Sequence, residues 1–156
     1  MSPTPQNKIL EDFIRRALEE DIGDGDHSSL ACIPEGSEGR ARLIIKEKGI
    51  LSGCRVAGEV FRIIDDKIVF SQFINDATEI SPGDIAFHIE GKKQSILKSE
   101  RLVPNIMQRM SGIATSTRQY ADRIKGFRTK VLDTRKTTPG MRFLEKEAVR
   151  QGGGMN

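Results

Sequence analysis

The stretch that decides the fold lies in the last quarter of the sequence and reads Val131-Leu132-Asp133-Thr134-Arg135-Lys136-Thr137-Thr138-Pro139-Gly140-Met141-Arg142. Its short apolar start predicts a buried β-strand, and a cluster of cations and hydroxyl groups follows directly. Pro139-Gly140 then opens a segment with the pattern of a helix. Strands that run into helices are the units of α/β folds. The stretch therefore predicts a β-α unit that begins near Thr129.

The sequence before this unit predicts mixed helix and strand. Helices are predicted over residues 7–21 and 54–64, and over 95–125 in at least two pieces, with Pro104 at a break or in a first turn. Strands are predicted over 40–51, interrupted by Gly49, over 68–70 with 73–74, and over 85–89. Residues 21–29 are predicted to be a loop, and Ser81-Pro82-Gly83-Asp84 a turn. These elements indicate an α+β unit of about 100 residues followed by a helical connector.

A single β-α unit cannot bury a parallel strand on both faces. Residues 129–156 are therefore expected to need further structure, either from more sequence or from a partner. Gly152-Gly153-Gly154 lacks the ending of a phosphate-binding P-loop, so it predicts close backbone packing or a helix C-terminus. We divide the chain into residues 1–115, an N-terminal domain with its helical connector, and residues 116–156, the truncated beginning of a second domain.

Charge is distributed unevenly along the chain. Residues 1–91 contain 10 Lys and Arg against 17 Asp and Glu, whereas residues 92–150 contain 15 against 5. A basic half predicts an anionic partner: nucleic acid, phosphate or a carboxylate substrate. The N-terminus has no signal pattern and no window is apolar enough to span a membrane, so a cytoplasmic location is expected. Cys32 and Cys54 have no metal-ligand spacing and are expected to be reduced, partly buried thiols.

The chemistry is expected at the carboxyl end of the predicted strand, where α/β folds bind ligands. Arg135 offers a planar fork for carboxylate or phosphate, and Lys136 a mobile point charge. Thr134 adds a hydroxyl group. Arg142 and Lys146 are four residues apart and share one face of the following helix, where they could flank a dianion. Arg109 stands among Met and Ile, and a cation on an apolar face needs an anion or a partner chain.

Six motifs follow one another between Glu20 and Asn156. They are Glu20-Asp21-Ile22-Gly23-x-Gly25-Asp26, Gly49-Ile50-Leu51-Ser52-Gly53, Gly83-Asp84, Gln108-Arg109-x-Ser111-Gly112-Ile113-Ala114-Thr115, Asp133-Thr134-Arg135-Lys136-Thr137-Thr138-Pro139-Gly140 and Glu145-Lys146-x-Ala148-Val149-Arg150-x-Gly152-Gly153-Gly154-x-Asn156. The whole series in this order resembles one family, that of quinolinate phosphoribosyltransferase. The resemblance runs from near Ala17 to Asn156.

The resemblance implies an α/β sandwich N-terminal domain followed by the start of an incomplete, TIM-like α/β barrel. The implied reaction joins quinolinate to phosphoribosyl pyrophosphate with Mg²⁺, and yields nicotinate mononucleotide, pyrophosphate and CO₂ for NAD biosynthesis. Arg109, Thr134, Arg135, Lys136 and Lys146 are the implied substrate-binding residues, with Lys136 and Lys146 as the catalytic pair. Arg109 is implied to reach the active site of a neighbouring subunit in a homodimer or larger homo-oligomer.

The sequence departs from the family pattern at two places. Leu102-Val103-Pro104 differs from the usual run before Asn105. The family's His-Arg pair, its acidic residues for Mg²⁺ and its phosphate loop are expected beyond Asn156, so no metal ligand is predicted within the chain. The chain is therefore expected to be incomplete and inactive alone.

Three other functions remain open on the sequence. A related phosphoribosyltransferase-like protein, such as the one linked to molybdate operons, would act on a different anion. A non-catalytic binding or assembly module would need a modifiable Lys in a tight turn, which Lys46 and Lys48 do not provide. Nucleic-acid binding is the weakest alternative, because few aromatic residues accompany the basic residues. We therefore expect neither nucleic acid nor membrane as a partner.

Overall fold

The structure is a computed structural model and describes residues 5–156. These residues contain six helices and five strands. The helices are α1 (Pro5–Ile22), α2 (His27–Cys32), α3 (Cys54–Ile64), α4 (Lys93–Ser99), α5 (Leu102–Arg123) and α6 (Arg142–Gln151). The strands are β1 (Glu38–Ile44), β2 (Gly49–Ile50), β3 (Val69–Gln72), β4 (Glu79–Ile80) and β5 (Ile85–Lys92). Residues 1–4, part of the stretch searched for a signal pattern, lie outside the described residues.

The strands form two antiparallel sheets. β5 lies between β1 and β3, with Ala41 opposite Ile89 on one side and Phe70 opposite Ile89 on the other. β2 and β4 form a separate two-stranded sheet. The predicted strand over 40–51 is therefore two strands in two sheets. The predicted turn before β5 is confirmed: the Asp84 amide donates to the Ser81 carbonyl at 3.1 Å, and Gly83 takes the positive φ that such a turn requires.

The core lies between the three-stranded sheet and the helices. α4 contacts β1 and β5, and α3 contacts β3. Phe61 of α3, Phe70 of β3 and Phe87 of β5 form an aromatic cluster with ring centroids 5.1–5.6 Å apart. Fully burying one large apolar side chain stabilises a fold by about 1.5–3 kcal/mol. This cluster fixes the helix layer on the sheet, and the predicted helix over 54–64 is confirmed.

α5 is hydrogen-bonded to β2 and to the residues that follow it. The Ile50 amide donates to Thr115 Oγ1 at 2.8 Å, and the Ser52 amide donates to Ser111 Oγ at 3.0 Å. A Cβ on Gly49 would stand 2.6 Å from Thr115 Oγ1, so glycine is what lets this backbone approach the helix. The small residues of α5 therefore admit a neighbouring backbone.

Residues 131–155 form a β-α unit with the start of a second strand. Leu132 pairs in parallel with Met155: the Asp133 amide donates to the Met155 carbonyl at 3.0 Å, and the Met155 amide donates to the Val131 carbonyl at 2.9 Å. The prediction of a buried strand here is wrong, because Leu132 is 70% exposed. The pair has no further strand beside it among residues 5–156, so it remains a single bridge.

α6 packs this unit onto the rest of the protein. Leu144 and Ala148 are buried, and the Phe143 ring meets Phe13 of α1 edge-on with centroids 5.7 Å apart. Gly152 ends α6 against α5, where an added Cβ would lie 2.4 Å from the Ala114 carbonyl oxygen. The prediction that the glycine run packs closely at a helix C-terminus is confirmed.

The fold class is α+β, as predicted, but two local predictions are wrong. Residues 27–29 belong to α2 rather than to a loop, because Asp26 caps that helix by accepting the Ser29 amide at 3.1 Å. The expectation of two partly buried thiols is also wrong, since Cys32 is exposed, whereas Cys54 is buried.

The helices of residues 5–156 include none with the length and hydropathy to span a membrane. The predicted domain boundary at residue 115 falls inside α5 and stays a prediction.

Candidate active site

The candidate site is built on residues 134–140, which we call the cationic loop and which link Asp133 to α6. The Lys136 amide donates to Thr134 Oγ1 at 3.1 Å, and the Thr137 amide donates to the Arg135 carbonyl at 2.9 Å. Pro139 and Gly140 occupy the middle of a turn that closes when the Met141 amide donates to the Thr138 carbonyl at 3.0 Å. Gly140 takes the positive φ expected at the third position of such a turn.

The loop presents its predicted binding residues to solvent. Thr134, Arg135 and Lys136 are all exposed. The side chains of Arg135 and Lys136 make no hydrogen bond or salt bridge with any residue in the described part of the chain. Two neighbouring cations without an anionic partner attract an anion.

Lys146 reaches the loop from α6 and is paired at the strand end. Its ammonium group forms a salt bridge with Asp133, and the two side chains are 30% and 13% exposed. The Asn156 amide nitrogen, in the orientation that satisfies its hydrogen bonds, donates to Asp133 Oδ2 at 2.9 Å and to the Lys146 carbonyl at 3.2 Å. Lys146 is therefore held beside Asp133, the residue that directly precedes the cationic loop. Arg142, on the same helix, donates to Thr137 Oγ1 at 3.3 Å.

Arg109 reaches the other end of the cationic loop from α5. Its Nε and Nη2 donate to Glu145 Oε1 at 3.0 and 2.8 Å, and Nη2 also donates to Thr138 Oγ1 at 3.0 Å. The expectation that Arg109 lies on an apolar face is wrong. The neighbouring Met107 and Met110 point into the core, whereas the Arg109 side chain is half exposed.

Glu145 is a carboxylate buried beside these cations, with 6% exposure. Burial by itself opposes ionisation, but hydrogen bonds from Thr138 and Arg109, together with the charge of Arg109, outweigh it and lower the pKa of Glu145 below its usual value. The Thr138 amide donates to Glu145 Oε2 at 3.3 Å. Glu145 is therefore ionised at neutral pH and binds Arg109 and the loop together.

Three of the five predicted site residues thus lie on the cationic loop, and the other two, Arg109 and Lys146, reach it from α5 and α6. Arg109 and Lys146 hold its two ends, and Thr134, Arg135 and Lys136 lie between them. A surface depression of about 560 Å³ beside α5 is lined by Arg109 but by none of the other four. With Thr134, Arg135 and Lys136 exposed, the candidate site within residues 5–156 is an open basic surface.

Sequence reasoning missed the residues that hold these cations in place: Asp133, Glu145 and Thr138. The available signal was charge, because only five acidic residues occur among residues 92–150 and two of them stand next to the predicted cationic site. An acid retained within a basic segment indicates an ion pair. Metal binding has no comparable support, since residues 5–156 contain no group of three or more His, Cys, Asp or Glu side chains placed to hold an ion.

Comparison with known proteins matches the whole of this architecture. A probable nicotinate-nucleotide pyrophosphorylase [carboxylating] of Synechocystis is 36% identical over 156 residues. Quinolinate phosphoribosyltransferase [decarboxylating] 1b of Nicotiana tabacum is 42% identical over 148 residues. The crystal structure of NadC from Streptococcus pyogenes superposes on the entire chain with a TM-score of 0.92 at 37% identity.

These relatives are longer proteins. The chain covers 52% of the Synechocystis protein, 42% of the tobacco protein and 55% of the Streptococcus NadC chain, and so spans about half their length. The model of the quinolinate phosphoribosyl transferase N-terminal domain matches residues 26–111, and that of the C-terminal domain matches residues 113–156. On these matches and on its fold, the chain belongs to the quinolinate phosphoribosyl transferase family.

Proposed function

We propose that the protein transfers the phosphoribosyl group of phosphoribosyl pyrophosphate to quinolinate and releases CO₂. The products are nicotinate mononucleotide and pyrophosphate, so the protein is a transferase of NAD biosynthesis. The observation that carries the proposal is the exposed pair Arg135 and Lys136 on the cationic loop, in a chain of this family. Quinolinate is a dicarboxylate, and the co-substrate and one product are polyanions, so both substrates need a cationic site.

The five site residues take different roles in this proposal. Arg135 binds a quinolinate carboxylate through its planar fork, and Thr134 adds a hydroxyl hydrogen bond. Lys136 and Lys146 stabilise negative charge as pyrophosphate departs, and are the proposed catalytic residues. Arg109 adds a fourth cation at the end of the cationic loop.

The reaction needs little from the protein beyond positioning and charge. The ring nitrogen of quinolinate bonds to C1 of the ribose while pyrophosphate leaves with the electrons of the broken C–O bond. The ring becomes cationic and accepts the electron pair of the adjacent carboxylate's C–C bond as CO₂ leaves. A proton then takes the place of CO₂ on the ring. Fixed cations stabilise the negative charge of the departing pyrophosphate, whereas the cationic ring itself favours the loss of CO₂.

Three further parts of the proposal concern partners and place. Mg²⁺ would enter with phosphoribosyl pyrophosphate, and its protein ligands are expected beyond Asn156. A homodimer or larger homo-oligomer in which Arg109 serves the neighbouring site remains a proposal. The cytoplasmic location and the absence of a nucleic-acid partner stay predictions.

The experiment that tests the function is isothermal titration of quinolinate and of nicotinate, separately, into this chain and into the longest form of the protein that its gene encodes. We expect quinolinate to bind the longest form and nicotinate to bind much more weakly. Arg135→Ala should weaken quinolinate binding by about 10- to 150-fold, because a hydrogen-bonded ion pair contributes about 1.5–3 kcal/mol. Arg150→Ala, an exposed cation on α6, is the matched control and should bind as the unmodified protein does.

Two outcomes would contradict the proposal. Failure of the longest form to bind quinolinate would favour a family relative that acts on another anion. Equal loss of quinolinate binding in the Arg135→Ala and Arg150→Ala variants would mean that binding depends only on the overall positive charge, and that Arg135 has no specific role in the site.

A further inference from the structure

Glu145 joins three separate segments of the protein. It belongs to α6, its Oε1 accepts two hydrogen bonds from Arg109 of α5, and its Oε2 accepts the Thr138 amide of the cationic loop. Arg109 closes the network by donating to Thr138 Oγ1 at 3.0 Å. A buried carboxylate that accepts hydrogen bonds from a cation and a backbone amide forms strong hydrogen bonds and restrains both donors.

The pair also determines which donors of Arg109 remain for a ligand. A guanidinium group has five N–H donors in a rigid fork. Arg109 uses Nε and Nη2 on Glu145 and Thr138, while half of its side-chain surface stays exposed. The Nη1 end is therefore the part of Arg109 that a second anion would meet, and Glu145 sets its direction.

We propose that Glu145 is a positioning residue that aims Arg109 and fixes the cationic loop, so that Arg135 and Lys136 are held in place before substrate arrives. The loop needs such a support because its own side chains at these two positions make no hydrogen bond or salt bridge with another described residue. Holding a site before binding avoids the entropy of ordering it during binding. The part of this proposal that concerns quinolinate rests on the proposed function, and the part that concerns the loop does not.

The test compares Glu145→Gln with Glu147→Gln. Glu147 is the matched control: it lies two residues on in α6 and pairs with another arginine, Arg55 Nη2, at 2.9 Å, away from the cationic loop. Amide hydrogen exchange by NMR reports on the loop without any substrate. The informative amides are those of Lys136 and Thr137, which are hydrogen-bonded within the loop and do not contact Glu145.

In Glu145→Gln we expect both loop amides to exchange about tenfold faster, and quinolinate to bind the longest form of the protein about tenfold more weakly. Glu147→Gln should leave both quantities unchanged. Faster exchange confined to α6, or equal changes in the two variants, would overturn the proposal, since either result describes a helix contact rather than a loop support. Faster loop exchange in Glu145→Gln alone, with no quinolinate binding by the unmodified protein, would support the loop anchor and refute the proposed substrate.

A second variant covers the case in which Glu145→Gln does not fold. The double variant Arg109→Met with Glu145→Leu removes both charged partners, so it leaves neither charge unpaired. It still deprives the Thr138 amide of its acceptor. We expect the same faster exchange at Lys136 and Thr137, and unchanged exchange there would overturn the proposal.

Discussion

Gly152 offers the sharpest stability test of how α6 and α5 fit together. Its backbone lies in the right-handed helical region, with φ −75° and ψ −6°, so alanine could adopt this conformation without strain. A methyl group there would nevertheless stand 2.4 Å from the Ala114 carbonyl oxygen and 2.6 Å from Thr117 Cβ. The first contact is with backbone, which cannot rotate away as a flexible side chain does. Gly152→Ala must therefore push the two helices apart.

The expected cost lies at the upper end of that for overpacking, about 3 kcal/mol. For a chain of this size such a loss lowers Tm by about 6–12 °C, which differential scanning calorimetry or thermal circular dichroism measures directly. The matched control is Gly112→Ala in α5, where an added Cβ meets nothing within 4 Å. Gly112→Ala should instead stabilise the protein by about 0.5–1 kcal/mol, because glycine weakens a helix interior.

The opposite signs of these two changes are the test. If Gly152→Ala melted within about 1 °C of the unmodified protein, the close approach of α6 to Ala114 would be wrong. If both variants lost stability equally, the loss would reflect a general intolerance of α5 and α6 rather than a steric contact at the end of α6.

Two further predictions concern the N-terminal domain. Ser111→Ala removes the hydroxyl group that accepts the Ser52 amide at 3.0 Å, and should lower the free energy of unfolding in urea by about 1–3 kcal/mol. Ser116→Ala, at an exposed position of the same helix, is the control and should leave that free energy almost unchanged. Equal urea midpoints for the two variants would contradict the contact. Burial, reinforced by Asp76, raises the pKa of Cys54 to about 12 from its usual 9.0. The folded protein then holds a proton that the unfolded chain loses, so this contribution to stability is complete below pH 9.0 and is lost as the pH rises towards 12. Iodoacetamide at pH 8 should therefore modify exposed Cys32 and spare Cys54 until the protein is unfolded. Mass spectrometry of peptides measures both modifications, and labelling of Cys54 in the folded protein would contradict its burial.

The sequence predicted correctly those elements whose residue pattern has a single local physical cause. The apolar spacing over 54–64 belongs to a helix with one buried face, and α3 has these bounds. Pro82 and Gly83 specify a turn by their own backbone preferences, and the turn forms where they stand. The basic segment and its strand-to-helix transition located the candidate site.

The sequence was insufficient where long-range contacts decide. The apolar character of Leu132 predicts burial, but burial requires neighbouring strands, which a single β-α unit does not supply. Arg109 stands among apolar neighbours in sequence, yet the helix turns it away from the core towards Glu145, 36 positions further along the chain. No local pattern reports a partner at that distance.

The segment from Ser111 to Thr117 has a consequence for how this protein can change through evolution. Ser111 and Thr115 bond to the backbone near β2, while Ala114 and Thr117 receive Gly152 at the end of α6. The two sets of contacts are interleaved along seven residues of one helix. Because each residue turns the helix by about 100°, one inserted or deleted residue here would rotate the contacts on one side of it away from their partners while those on the other side stayed in place. Substitutions in this segment are open to selection one at a time, but its length is not.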